Sequence, residues 1–320
     1  MPCLAWLLLI AALVFPLHAG AQPTFSDTPA SAAPQATLAP LSVEGRYIVD
    51  ADGNRVRLRG LALSDPFHLA EEGQWTRRYF EEAAAWGANL VRIPVHPQWW
   101  REAGSEQYFA WLDQGVQWAG ALGMYVIIDW HTIGNPLTGV PHRPLYLTTQ
   151  EETFYFWHLV GFRYAGNPTV AFYELYNEPT NREGTMGPLG WPEYKAWIES
   201  LISMLYAIDD RKIPLVAGFD WAYELRSVVE DPIAFPGVAY VTHPYPQKVP
   251  PPWEQAWDRD FGHVADHYPV FATEFGFMSE DMRGAHIPVI ADERYGKAVL
   301  DYFDRRGIHW TVWVFDPRWT

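Results

Sequence analysis

The chain has 320 residues, 49% of them hydrophobic, and a formal net charge of −15. An acidic balance of that size excludes nucleic acid and anionic membrane surfaces as partners and suits a neutral ligand. The single cysteine, Cys3, excludes a disulfide framework, so stability has to come from a large buried core.

Residues 1–21 read as a secretory signal peptide. An apolar stretch over 4–17 is followed by the small residues Ala19-Gly20-Ala21, although no Lys or Arg precedes it. That stretch is too short to span a membrane and no later one is long enough, so secretion, extracellular or periplasmic, is expected. Cys3 would leave with the leader. Residues 22–40 are rich in Pro, Ala, Ser and Thr without an apolar period and read as a linker. A catalytic domain is expected over 41–320.

The domain opens with a short hairpin, 42–50, a turn at 51–54, and a return from Arg55. The turn resembles part of a calcium loop, but its Gly sits at the wrong offset and the distal Glu is missing. Eight strands are expected at 57–63, 88–96, 125–131, 171–178, 214–221, 238–245, 270–277 and 309–315. Most are continuous apolar runs, the mark of parallel strands covered on both faces. Amphipathic helices are expected between them at 76–86, 106–122, 151–164, 193–208, 253–267 and 292–306; the fifth connection, 222–230, holds at most a short one. This alternation predicts an α/β fold, a (β/α)8 TIM barrel. A doubly wound sheet fits less well, because no Gly-rich phosphate loop follows an early strand. The sequence stops soon after the eighth strand, so the eighth helix is missing from it, which is read as truncation.

In such a barrel, function gathers at the C-terminal ends of the strands. Those ends supply Arg92, His96, Asp129, Trp130, His131, Asn177, Glu178, His243, Tyr245, Glu274 and Trp313. Two carboxylates, Glu178 and Glu274, each delivered by an apolar run, are what cleavage of a glycosidic bond requires. The nucleophile must stay charged, which calls for a cation and hydroxyl donors such as Arg92 and Tyr245. His68 and His96 are read as structural, and Asp129 and Trp130 as candidates to face the helices. His131 and His243 raise the question of zinc, but there is no HExxH and no third ligand with fitting spacing, so no metal and no cofactor are expected. No Gly-x-Ser-x-Gly elbow occurs.

The motifs NLVRIPVH, IIDWHT, LYNEP, THPY, ATEFGF and WTVWVF, in that order from the second expected strand to the eighth, resemble glycoside hydrolase family 5, the cellulase-type retaining (β/α)8 glycosidases. The resemblance implies Glu178 as general acid/base and Glu274 as nucleophile. It also implies Asn177 on the sugar 2-hydroxyl, Arg92 and Tyr245 holding the nucleophile, His131 and His243 completing the polar network, and Trp313 as the sugar platform. Trp99, Trp100, Trp191, Trp221 and Trp253 are expected to line the groove with it. The reaction expected is endo-acting hydrolysis of a β-1,4-glucan by a monomer through a glycosyl-enzyme. β-Mannan, xyloglucan and mixed-linkage glucan stay open, as does a barrel that binds carbohydrate without cleaving it.

Overall fold

The computed structural model describes residues 38–316, so the expected leader and most of the expected linker lie outside the described residues. In chain order the strands are β1 (Ser42–Glu44), β2 (Tyr47–Val49), β3 (Arg59–Leu63), β4 (Leu90–Val95), β5 (Tyr125–Trp130), β6 (Ile133–Asn135), β7 (Val140–Pro141), β8 (Val170–Glu174), β9 (Glu178–Pro179), β10 (Ile213–Ala217), β11 (Ala239–Val241), β12 (Val270–Ala272) and β13 (His309–Phe315). Eight of them close a parallel barrel in the order β3, β4, β5, β8, β10, β11, β12, β13, the last pairing back onto β3. The barrel expected from the sequence is therefore the fold, with most strands shorter than their apolar runs.

Two cores explain why those runs show no visible alternation. Leu90, Tyr125, Ile127, Phe172, Leu215, Ala239, Val241 and Phe271 fill the barrel interior. Val91, Ile93, Val126, Ile128, Trp130, Tyr173 and Val216 point outward into the helix layer. Both faces are dry, so the period of two is present in the structure but masked in the sequence. Leu41 and Ile48, from the N-terminal hairpin, join the interior cluster and close the floor.

Several boundaries move for local reasons. The hairpin turns between β1 and β2, whereas 51–54 forms a second loop around the Asp50 carboxylate, which accepts from the backbone N–H of Asp52 and Asn54. The expected helix 253–267 is interrupted: Glu254–Asp260 is α-helical and Gly262–Asp266 is 3-10. A Cβ at Gly262 would lie 1.8 Å from the Tyr302 hydroxyl, so this close approach needs glycine. Two short helices, Pro66–Glu71 and Pro97–Ala103, were not foreseen; each begins on a proline whose fixed φ suits a first turn. The fifth connection has no regular helix after β10. Asp220, Trp221 and Ala222 instead make a left-handed turn at φ 55°, 56° and 57°. The outer face of β13 is only half buried, with Trp86, 75% exposed, edge-on to Phe315.

Candidate active site

Strand parity aims the first polar groups inward. Arg92 follows the interior Leu90 by two residues, and Asp129 follows the interior Ile127 by two. Arg92 is wholly buried and serves four partners at the barrel mouth. Its Nε and Nη2 donate to the two oxygens of Glu174 at 2.7 and 3.0 Å, Nη2 also to Asn177 Oδ1 at 2.6 Å, and Nη1 to Glu274 Oε1 at 2.9 Å. Asp129 Oδ2 lies 2.9 Å from the same guanidinium. Burial opposes the charge on Arg92, but Asp129, Glu174 and Glu274 outweigh it and keep the group a cation.

Glu274 follows β12 by two residues. Both its oxygens are occupied, Oε1 by Arg92 and Oε2 by the Tyr245 hydroxyl at 2.9 Å. Burial pushes its carboxyl above the ordinary range, while His243 and Arg92 pull it down. Two donors aimed at two oxygens fit an ionised carboxylate.

Glu178 arrives differently. The expected strand 171–178 breaks after Glu174; Asn177 N donates to Trp130 O and Glu178 N to Thr132 O, and Glu178 restarts as β9 beside β6. The break is what lets Glu174, Asn177 and Glu178 all reach the mouth, since a regular strand cannot turn positions i, i+3 and i+4 to one face. His243 Nδ1 stands 2.9 Å from Glu178 Oε1 and 3.9 Å from Glu274 Oε2. One ligand atom each from Glu178, His243 and Glu274 lie within 4.8 Å of one another, so the two carboxyls face each other across a short gap. Within this group His243 Nδ1 engages Glu178 Oε1, while Arg92 and Tyr245 engage the two oxygens of Glu274.

The other expected groups divide between cleft and core. Trp313 lies parallel to His131 at 5.2 Å, with the Arg92 guanidinium 5.9 Å from its ring. His131 Nδ1 contacts Asp129 at 2.7 Å, and burial keeps its imidazole neutral. Asn177 Nδ2 is buried with no hydrogen-bond partner among the described residues. Trp99 stacks on Phe67 and His68 and abuts His96, and Trp221 meets His142 edge-on. Trp100, Trp191 and Trp253, expected in the groove, belong to core packing: Trp100 is wedged among Tyr108, Phe109 and Phe156, Trp191 packs on Tyr194 and Phe219, and Trp253 on Trp257 and Tyr295. Trp130 does face the helices, stacked on Phe156 at 4.1 Å, but Asp129 faces the site.

Sequence reasoning passed over Glu174 and Thr273. Thr273 Oγ1 contacts both His243 Nε2 and Glu174 Oε1, each at 2.9 Å. A signal existed for Glu174, a charged residue inside an apolar run, where burial is costly without a partner. None existed for Thr273, since buried threonines are ordinary in strands.

A family model described as cellulase (glycosyl hydrolase family 5) matches residues 49–318. The structure superposes on that of the β-glucanase SdGluc5_26A from Saccharophagus degradans, solved in complex with cellotetraose, with a TM-score of 0.87 and 45% identity, covering 89% of this chain and 87% of that one. The cellulase CelDZ1 of a Thermoanaerobacterium species is 27% identical over 290 residues, 85% of this chain and 69% of its own length. Endoglucanase A of Butyrivibrio fibrisolvens is 27% identical over 254 residues, 76% of this chain but 53% of its own length. The chain thus spans about half of the latter relative.

Proposed function

Since the chain belongs to glycosyl hydrolase family 5, the cellulase family, we propose that it is an endo-acting retaining hydrolase of β-1,4-glucan. Glu274 attacks the anomeric carbon while Glu178 protonates the departing glycosidic oxygen. The bond to the leaving sugar breaks and a glycosyl-Glu274 ester forms. Water then gives a proton to Glu178, its oxygen bonds to the anomeric carbon, and the ester bond returns its electrons to Glu274. Arg92 and Tyr245 hold both oxygens of Glu274, which favours the charged nucleophile and fixes its aim. The unpartnered Asn177 amide is placed to bond the sugar 2-hydroxyl, and Trp313 to carry its apolar face.

The observation that carries the stereochemistry is the approach of Glu178 and Glu274, oxygen to oxygen within 4.8 Å. Inverting enzymes need about 6.5–9.5 Å between carboxyls to admit a water, and retaining ones about 5–5.5 Å. The substrate reading is supported by the cellotetraose in the Saccharophagus degradans relative and by the names of the cellulase and endoglucanase relatives. A mixed-linkage glucan is the second reading, favoured by the description of that same neighbour as a β-glucanase.

A panel of carboxymethylcellulose, mixed-linkage glucan, mannan and xyloglucan tests this. The glucans should be cut internally, with early products in the β configuration by NMR. Glu178→Gln and Glu274→Gln should each lose roughly a thousandfold or more in turnover on natural glucan. α-Configured early products, or full activity in Glu274→Gln, would overturn the mechanism.

A further inference from the structure

Behind Glu178 runs a line of buried groups that the two chemical steps do not call on. His243 turns Nδ1 to Glu178 Oε1 and Nε2 to the Thr273 hydroxyl, 2.9 Å away on each side. Thr273 Oγ1 then stands 2.9 Å from Glu174 Oε1, and His243, Thr273 and Glu174 are all fully buried.

The proton positions along this line follow from counting. Burial works against charge on Glu174, yet Arg92 and His243 hold its carboxyl below the ordinary range, so it is a carboxylate that only accepts. Thr273 therefore donates its one hydroxyl proton to Glu174, and the hydroxyl oxygen is left to accept. Its remaining neighbour is His243 Nε2, which must carry a hydrogen. When the imidazole is neutral, its lone pair is then at Nδ1, facing Glu178.

We propose that Thr273 and Glu174 are positioning residues that lock His243 with its proton on Nε2, so that one further proton is kept on the line between His243 Nδ1 and Glu178. A neutral acid beside a neutral imidazole, and a carboxylate beside an imidazolium, differ only in which side of that line holds the proton. Once the leaving oxygen has taken it, a carboxylate faces a nitrogen lone pair in a dry site. That arrangement is unfavourable and draws a proton back from the water that attacks the glycosyl-enzyme. The lock thus serves both halves of the cycle.

The charged groups facing His243 agree with this. Glu174 approaches it from the end of the fourth barrel strand, Glu178 from β9 and Glu274 from beyond the seventh, with Arg92, Asp129, His131 and Tyr245 the other titratable members of the cluster. Burial works against charge on the imidazole, but these three carboxylates outweigh it and raise His243 to about 9.

The test is the pH profile of kcat/KM on a soluble glucan for wild type, Thr273→Val and Thr273→Ser. Valine keeps the shape and removes the acceptor. An unpaired Nε2–H is then costly, the imidazole can reverse its tautomer, and its Nδ1–H stabilises ionised Glu178. The basic limb should move to lower pH by about one unit. Serine restores the hydroxyl and should keep the wild-type limb. A Thr273 that merely packs would lower stability, or activity at every pH, without moving the limb; an unmoved limb in Thr273→Val overturns the inference. Should the valine variant not fold, the nitrogen NMR spectrum of His243 in wild type above about pH 9, where the imidazole is neutral, decides instead: its proton on Nε2 supports the lock, and on Nδ1 refutes it. The inference rests on the glycosidase reading. If that reading fails, wild type hydrolyses no glucan at all, whereas the tautomer is still read from the spectrum.

Discussion

Three buried histidines show how far one side chain can be moved by its neighbours. Burial disfavours charge on all of them. His243 faces three carboxylates and rises to about 9; His131 sinks well below its usual value beside His96 and Arg92; His309, on the barrel floor, drops to about 3, burial being reinforced by the positive charge of Arg57. His309 Nδ1 accepts the backbone N–H of Leu58 at 3.1 Å, and its ring stacks on Phe271, so a proton there has no favourable place. An unfolded histidine binds its proton near pH 6.5, whereas the native one refuses it until about 3. Stability from this group is therefore complete above pH 6.5 and is lost progressively as pH falls towards 3, by on the order of 4 kcal/mol. Denaturant titrations at stepped pH should show a shallower acid loss in His309→Gln than in wild type over that window. Parallel curves would mean that other groups govern acid unfolding.

At the scale of elements, what the sequence made legible was existence and order, and what it hid was where regular structure stops. All eight barrel strands could be found because a strand buried on both faces leaves a continuous apolar run. The runs overshoot at 171–178 and 214–221 because the residues that leave the barrel at its mouth are as buried as those inside it. Glu178, Asn177, Arg92 and Glu274 stood out as polar residues terminating or interrupting such runs. Their meeting point did not, since it depends on the break between β8 and β9. The left-handed turn after β10 left little signal either: Asp220 is of a type that tolerates positive φ, but Trp221 and Ala222, which continue the turn, are not. Gly218 before it is legible only in retrospect: a Cβ there would lie 2.0 Å from Glu224 O. The turn carries Trp221 towards His142, with the Lys248 ammonium 4.8 Å from the indole. Each left-handed non-glycine residue costs about 1 kcal/mol. Asp220 is exposed, and Lys248 Nζ bonds its backbone carbonyl, which a glycine retains. Asp220→Gly should thus stabilise the fold by about 0.5–1 kcal/mol in thermal or denaturant unfolding. A loss of more than that would show that the Asp220 carboxylate contributes more than its strain costs.

Charge is arranged over the whole molecule with a polarity that the net value of −15 conceals. Arg46, Arg57, Arg59 and Arg306 gather at the floor end, engaging Asp266, Asp304 and the carbonyls closing the last helix. The mouth holds Asp129, Glu174, Glu178 and Glu274 against Arg92 and the His243 imidazolium, so the carboxylates outnumber the cations they enclose. A neutral glucan chain does not feel the resulting negative field, while a carboxymethylated one does and is repelled from its own binding groove. The Debye length falls from about 30 Å at 0.01 M salt to about 8 Å at 0.15 M, from a reach spanning much of the cleft to little beyond contact. Raising the salt across that range should therefore increase kcat/KM on carboxymethylcellulose several-fold at constant pH and leave it nearly flat on a neutral soluble glucan. The comparison separates steering from chemistry, because both substrates pass through the same glycosyl-enzyme. Equal salt responses on the two would mean that cations around the rim of the cleft already cancel the field of the mouth carboxylates.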